Sequence, residues 1–376
     1  MGESLNVVIA AGGTAGHINP ALALAEELAD RGHHVTFFGQ TKKLEGTLVP
    51  EAGFDFVPIE VQGFDRSRPW TAVSALVRTK RAERTVAAHF ARNGAPDVAV
   101  GFGAYVEVPL LSWCASHGVP VILHEQNSVP GLANKLLAPK AATVAVALPQ
   151  AVRALSDYAG AGTNVVVVGN PVRRSVIEGD GAAGRAALGI PAQARVLLVF
   201  GGSLGAASIN DAMVALKDGL LSRPDLHVVH SCGKDGYADT AARLALTEDQ
   251  ASRWHVVPYI SAMGDALAAA DLVVSRAGAS SIAEIAALAV PSVLVPYPHA
   301  TADHQTTNAQ FLVGAKAAVL VPDDELASPG FSSLLLGLVD DPERLGAMRA
   351  AARGLAQDQA AARLADQTEK LGKQGR

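Results

Sequence analysis

Cysteine is nearly absent from this chain: 376 residues contain two, Cys114 and Cys232, with no Cys-x-x-Cys spacing. That excludes a disulfide framework and a cysteine zinc site, and it fits a reducing cytosol. An Asp-x-Asp at a strand end is also missing. His227 and His230 would point to opposite faces of a strand, so no metal is expected. Long apolar runs are lacking too. The longest uncharged stretch, Ile285–Ala302, contains Pro291, Pro296 and Pro298, which would break a spanning helix. No basic region precedes the first apolar run, which stops at Gly12-Gly13 and so reads as a strand, not a signal peptide. A net charge of −5 gives no global attraction to nucleic acid.

What is present is a foldable composition, 49% hydrophobic and 18% charged, in a chain too long for one typical core. Short apolar runs alternate with longer amphipathic ones. In the first half, strands are expected at Asn6–Ala10, His34–Phe38, Val98–Gly101, Val119–His124, Thr143–Ala147 and Val165–Val168. In the second they fall at Val196–Phe200, His227–Ser231, Trp254–Pro258, Leu272–Ser275, Ser292–Val295 and Ala318–Val321. This alternation predicts an α/β fold with parallel sheets covered by helices on both faces. The opening pattern, strand then Gly-Gly-Thr-Ala-Gly, restarts at Val196 with Gly-Gly-Ser-Leu-Gly-Ala. Two Rossmann-like domains joined near Gly169-Asn170-Pro171 account for that restart, with a ligand cleft expected between them.

Three glycine loops follow strands: Gly12–His17, Gly101–Tyr105 and Gly201–Ala206. Glycine lets the backbone approach an anion and a helix N-terminus supplies N–H groups, although each loop alone is equally a tight strand-to-helix turn. After the first, Asn19 reads as a helix cap and Pro20 as a first helical residue. The first loop departs from Gly-x-Gly-x-x-Gly and the second strand ends Phe38-Gly39-Gln40 without an acid, which argues against a nicotinamide dehydrogenase. His17 lies near a helix N-terminus, where the dipole favours neutral imidazole able to accept a proton. It is equally a loop cap. His124-Glu125-Gln126-Asn127 ends another strand of the same domain, and His33-His34 reads as an exposed turn. In the second half, Ser275-Arg276-Ala277-Gly278 opens a helix carrying Glu284, and a later strand ends near His304, Gln305 and Asn308. A carboxylate at such a rim accepts hydrogen bonds from a ribose diol, and amides suit sugar hydroxyls. Between Phe64 and Asn93 lie Arg66, Arg68, Arg78, Lys80, Arg81, Arg84 and Arg92, with Trp70, Val73, Leu76 and Val77 near them. That is the pattern of a helix lying on an anionic bilayer, or of a core helix with a solvated basic face.

Several motifs in order carry a resemblance across nearly the whole chain. They are Gly-Gly-Thr-Ala-Gly-His (12–17), Gly-Phe-Gly-Ala-Tyr (101–105), His-Glu-Gln-Asn (124–127), Gly-Asn-Pro-Val-Arg (169–173), Gly-Gly-Ser-Leu-Gly-Ala (201–206), Arg-Ala-Gly-Ala-Ser-Ser-Ile-Ala-Glu (276–284) and His-Gln-Thr-Thr-Asn-Ala (304–309). Together they resemble the lipid II-forming peptidoglycan glycosyltransferases, the undecaprenyldiphospho-muramoylpentapeptide β-N-acetylglucosaminyltransferases of the inverting GT-B type, glycosyltransferase family 28. The resemblance implies two Rossmann-like domains facing each other across a cleft. Residues 1–168, joined by a C-terminal helix at 350–373, would take the acceptor and the membrane; residues 169–349 would bind UDP-N-acetylglucosamine. By matching position the donor would meet Thr14, Gly16, Asn127, Arg173, Ser203, Tyr259, Ile260, Glu284, Gln305 and Asn308. The acceptor diphosphate would meet Gly13, Thr14, Gly103, Ala104 and Tyr105, and the base would be His17 first or Glu125 second. No metal or cofactor is implied. The expected partners are UDP-N-acetylglucosamine, undecaprenyl-linked lipid I, an anionic membrane surface on the cytoplasmic side, and other cell-wall synthesis proteins. Ala15, Ala104, Leu204 and His304 depart from the residues common in that family, and the methyl group at Ala15 and Ala104 disfavours a backbone with positive φ there. A UDP-N-acetylglucosamine 2-epimerase shares the architecture and donor and is the enzyme alternative. A non-catalytic scaffold is a third reading, which Glu284, Gln305, Asn308 and His17 disfavour.

Overall fold

The computed structural model describes residues 3–61, 71–202 and 204–374, without side chains at 71–76. The chain divides into two compact units, one running to Arg173 and resuming at Asp358, the other Arg174–Gln357. In the first, among the described residues, seven parallel strands lie in the order β3-β2-β1-β4-β5-β6-β7. They are β1 Asn6–Ala10, β2 His34–Gly39, β3 Asp55–Pro58, β4 Val98–Gly101, β5 Val121–Glu125, β6 Thr143–Val146 and β7 Asn164–Val167. In the second, six parallel strands run β10-β9-β8-β11-β12-β13: β8 Arg195–Phe200, β9 Leu226–Ser231, β10 Trp254–Val257, β11 Leu272–Ser275, β12 Ser292–Leu294 and β13 Ala318–Leu320. Every expected strand is there. β3 was not foreseen: it is a four-residue edge strand beginning with Asp and ending with Pro, half exposed, so it has little apolar signal.

Both sheets are doubly wound. Strand order reverses between β1 and β4 in one unit and between β8 and β11 in the other, so each has a switch point where ligands bind in such folds. All three glycine loops follow switch-point strands. One face of the first sheet packs Leu5, Val7 and Ile9 against α1 (Ala15–Asp30) and against Leu364 and Ala365 of the returning helix Ala360–Gln374. The other face packs α3 (Thr71–Asn93) and α4 (Glu107–Ser116) through Ala82, Val86, Phe90, Leu110, Leu111 and Cys114. Between β2 and β3 lies α2 (Glu45–Glu51). The second sheet is likewise buried, around Leu197, Val199, Val228, Val274 and Val293.

The returning helix is tied down as well as packed. Arg31 Nη1 donates to Asp366 (2.7 Å) and Glu369 (3.0 Å), and its Nε donates to Glu27 (2.8 Å). Arg31, His33 and Lys373 hold the Glu369 carboxyl down at about 2 despite its partial burial. The His33 side chain is 6% exposed and lies 3.4 Å from Glu369, so it is no exposed turn residue: the helix covers it.

Candidate active site

In the N-terminal unit the loops after β1 and β4 leave the sheet side by side. Gly13 takes φ +87 and Thr14 is extended at φ −136, ψ 156, so α1 opens at Ala15. Asn19 and Pro20 therefore do not start the helix; Pro20 lies inside it. The earlier start prevails because Thr14 O already accepts from His17 N (3.0 Å) and Ile18 N (3.2 Å). Ala15 keeps an ordinary helical backbone, whereas Ala104 stands at φ +67, a left-handed conformation costly for alanine.

Thr14 Oγ1 lies 3.2 Å from His17 Nδ1, and the far edge of that ring meets the second loop. A Cβ on Gly103 would stand 3.1 Å from His17 Cδ2 and 3.2 Å from Nε2, so the close approach depends on glycine. Each loop rests on a carboxyl group that the sequence reading missed. Buried Glu45 accepts from Gly13 N through Oε2 (3.1 Å) and from Gln40 N through Oε1 (3.2 Å). Buried Glu107 accepts from Gly103 N through Oε2 (2.6 Å). Burial pushes the Glu107 carboxyl up to about 8; the Gly103 N–H opposes that rise and the Glu125 charge adds to it. The Gly13 and Gly103 N–H groups, in the loops expected to meet a diphosphate, thus donate to carboxyl groups within the protein. Gly-x-x-x-Glu at 103–107 was a readable signal for one contact; nothing local linked Glu45 to Gly13.

The two expected bases differ sharply. Glu125 is 2% exposed. Its Oε1 accepts from Asn127 N (2.9 Å) and Asn127 Nδ2 (3.3 Å), and its Oε2 from Gly131 N (2.9 Å) and Asn134 Nδ2 (2.8 Å). A carboxylate so enclosed holds a loop together and is poorly placed to take a substrate proton. His124 is fully buried with Nε2 2.9 Å from Gly169 O, and burial pushes its imidazole down to about 4. Arg173 belongs to this unit, where its fork donates to Glu26 on α1 at 3.0 and 2.8 Å.

In the C-terminal unit, Gly202 (φ +88) and Gly205 (φ +80) shape the loop after β8, while Ser203 lies outside the described residues. Leu204 is 83% exposed. After β11, the buried Arg276 guanidinium donates to Val295 O (3.3 Å), Pro296 O (3.2 Å), Ser208 Oγ (2.9 Å) and Asp323 Oδ1 (2.5 Å). It clamps the β11 and β12 ends together. Gln305 Oε1 bridges the same ends, accepting from Ala277 N (3.2 Å) and Tyr297 N (2.9 Å), which orients its amide. Asn308 is fully buried and donates to Ala277 O (3.4 Å). Glu284, on the helix Ala279–Ala287 that starts just after Ala277, is half-buried with no hydrogen-bond partner among the described residues. Desolvation pushes its carboxyl up to about 7. Tyr259, 55% exposed, and Ile260 follow β10. His304 Nδ1 lies 2.9 Å from Thr301 O, after Ala302 and Asp303, both at φ +51. Gln305 and Asn308 thus meet at Ala277, just before the helix that carries Glu284, while His17, Thr14, Gly103 and Tyr105 lie in or beside the loops at the switch point of the other sheet.

Residues 7–146 match the glycosyltransferase family 28 N-terminal domain and residues 196–368 the family 28 C-terminal domain. The chain is 40% identical to a UDP-N-acetylglucosamine–N-acetylmuramyl-(pentapeptide) pyrophosphoryl-undecaprenol N-acetylglucosamine transferase of Salinibacter ruber, covering 96% of this chain and 95% of that one. It is 37% identical to the transferase of the same name from Halothermothrix orenii, over 92% and 93%. Among solved structures, Acinetobacter baumannii MurG superposes with a TM-score of 0.73 at 27% identity, covering 98% of this chain and all of that one. A UDP-N-acetylglucosamine 2-epimerase from Listeria monocytogenes, described as putative, reaches a TM-score of 0.69 at 16% identity, over 96% and 95%, which is a likeness of fold alone. With two doubly wound GT-B-type domains, both family 28 models matched and 37–40% identity to those transferases over nearly the whole chain, the chain belongs to glycosyltransferase family 28.

Proposed function

We infer that the protein transfers N-acetylglucosamine from UDP-N-acetylglucosamine to the C4 hydroxyl of the muramoyl sugar of undecaprenyl-diphospho-muramoylpentapeptide (lipid I), releasing UDP and β-1,4-linked lipid II. The observation that carries this reading is the match to transferases of that name over 92–99% of the chain. In this reading Glu284 takes the ribose diol, and the Gln305 amide, oriented by Ala277 and Tyr297, takes a sugar hydroxyl. Asn308 acts through Ala277, Tyr259 and Ile260 border the uracil, and the Gly201–Ala206 loop with Ser203 meets the leaving diphosphate. The acceptor is held at Thr14, Ala104 and Tyr105. His17 removes the C4 hydroxyl proton as that oxygen attacks the anomeric carbon; Glu125 and Asn127 keep the neighbouring loop in shape. Arg173, held by Glu26, supports α1. His17→Ala is expected to lower kcat by about 10²–10⁴-fold.

UDP release assayed with and without a short-chain lipid I analogue, in EDTA, tests the reaction. Acceptor-dependent release with a β-linked disaccharide supports it. Release without acceptor supports the epimerase, and an absolute metal requirement removes the metal-free scheme.

Peripheral attachment to the cytoplasmic membrane face is part of this reading and is supported by α3, where Val77, Arg78, Lys80, Arg81 and Arg84 are exposed while Ala82, Val86 and Phe90 are buried. No helix among the described residues is long and apolar enough to cross a membrane. Trp70, Arg66 and Arg68 lie outside the described residues. Each basic side chain near an anionic surface contributes about 1 kcal/mol. Changing Arg78, Lys80 and Arg81 to Glu is therefore expected to abolish sedimentation with phosphatidylserine vesicles at physiological salt; unchanged sedimentation would remove this surface from the scheme.

A further inference from the structure

His17 is approached from two sides by loops with left-handed backbone conformations. Thr14 Oγ1 reaches Nδ1 from the first loop, and Gly103 of the second lies against the Cδ2–Nε2 edge. Both loops are in left-handed conformations, Gly13 at φ +87, Gly103 at φ +91 and Ala104 at φ +67. Alanine in that region relaxes unless its surroundings hold it. What holds each loop is a buried carboxyl group beneath it. Glu45 joins Gly13 N to Gln40 N, so the first loop is tied to the end of β2. Glu107 takes Gly103 N at 2.6 Å. Neither group is open to a ligand: a Cβ on Gly12 would strike Glu45 Oε1 at 2.5 Å, and one on Gly101 would strike Glu107 Oε2 at 2.4 Å.

We propose that Glu45 and Glu107 are paired positioning residues for His17, setting the height and tilt of the imidazole through Gly13 and Gly103 without touching substrate. This rests on the reading of His17 as the base. The two groups are not equivalent. Glu107 needs one acceptor oxygen for Gly103, because its Oε1 is buried with no partner. Glu45 uses both oxygens on two amides. A glutamine keeps one acceptor oxygen and adds two donors. Glu107→Gln therefore preserves the geometry, whereas Glu45→Gln places an NH2 against one backbone N–H and releases it.

The test compares E107Q, E107M and E45Q in the full chain by kinetics and by the imidazole resonances of His17, assigned with H17N. A misplacement of about 1 Å costs on the order of 10²-fold, so E107M and E45Q are expected to lose at least tenfold in kcat. Their KM for UDP-N-acetylglucosamine and their UDP affinity should stay unchanged, and their His17 resonances should shift or split. E107Q should keep the native His17 spectrum and kcat. Native amide resonances for the strands and helices of the N-terminal unit away from the two loops show that a variant is folded there; if E107M does not fold, E107D, which withdraws the acceptor by one methylene, replaces it. Native His17 resonances in both E107M and E45Q would overturn the proposal, as would E107Q behaving like E107M. If the wild type fails to transfer sugar to lipid I, the reaction is misread, and the resonances still decide the positioning.

Discussion

At the scale of single residues, charge burial makes the sharpest forecasts. Glu284 is neutral below about 7, and only its ionised form offers two acceptors to a diol. KM for UDP-N-acetylglucosamine should therefore rise as pH falls through 7, and Glu284→Gln should weaken binding and abolish that dependence; a flat KM between pH 6 and 8 would remove Glu284 from the donor site. Glu107 has a stability counterpart. Its folded value, about 8 against 4.5, means that the folded chain binds more proton than the unfolded one over that interval. Stability accordingly falls as pH rises from about 5 to 8, by an amount of order a few kcal/mol. Urea midpoints at pH 5.5 and 8 should diverge in the wild type and converge in E107Q. At Ala104, relief of about 1–2 kcal/mol of left-handed strain outweighs the roughly 0.4–1 kcal/mol of extra chain entropy that glycine brings to the unfolded state. Ala104→Gly should raise the urea midpoint slightly, and a lowered midpoint would show that the φ +67 conformation is not strained. Much of this layer was legible. His17, Glu284 and Gln305 announce themselves by type and by their place after strands. Glu45 did not, since its meaning lies in Gly13, 32 residues earlier, and no local pattern encodes such a contact.

Among elements, the strands were the easiest to read, because a parallel strand buried on both faces is a short apolar block. β3, with Asp55 and Pro58 at its ends, escaped for the converse reason. The start of α1 was misread because Asn19-Pro20 is a good opening signal by composition, yet Thr14 already supplies the extended residue and the carbonyl that a helix start needs. The returning helix Ala360–Gln374 behaves as a strap. It buries Leu364 and Ala365, and Gly372 packs so tightly that a Cβ there would meet Leu5 Cδ1 at 2.9 Å. Burying one leucine contributes about 1.5–3 kcal/mol, so Leu364→Ala should lower the thermal midpoint of the N-terminal unit by several degrees while UDP affinity persists. Gly372→Leu should do the same by collision. The Glu369 contribution is of opposite sign to that of Glu107: its depressed carboxyl stabilises above the ordinary value of 4.5 and loses that effect as pH falls toward 2.

For the molecule as a whole, the doubled architecture was visible in the restart of a glycine-loop pattern at Val196, because each Rossmann-like unit begins with its switch-point strand. Of the groups proposed for the donor, Tyr259, Ile260, Glu284, Gln305 and Asn308 fall within Arg174–Gln357, whereas Thr14, Gly16, Asn127 and Arg173, expected from the resemblance, fall in the first unit. Hydrogen exchange with saturating UDP should therefore slow amides at 277–284 and 297–308 and leave 12–17 unchanged. Slowing confined to 12–17 would reverse the assignment of donor and acceptor.

The path of the chain through the two units sets an order of events in synthesis. The polypeptide leaves the first unit at Arg173 and re-enters it at Asp358, and the Arg31 side chain waits for Asp366 and Glu369. At about 5–20 residues per second, a ribosome needs on the order of ten to forty seconds to make the intervening segment. Throughout that interval Leu5, Leu22 and Leu28 lack the helix that later packs with them. The nascent first domain therefore leaves that apolar face uncovered until its own strap emerges, and the second domain, whose segment is continuous, is the first of the two whose residues are all available to fold.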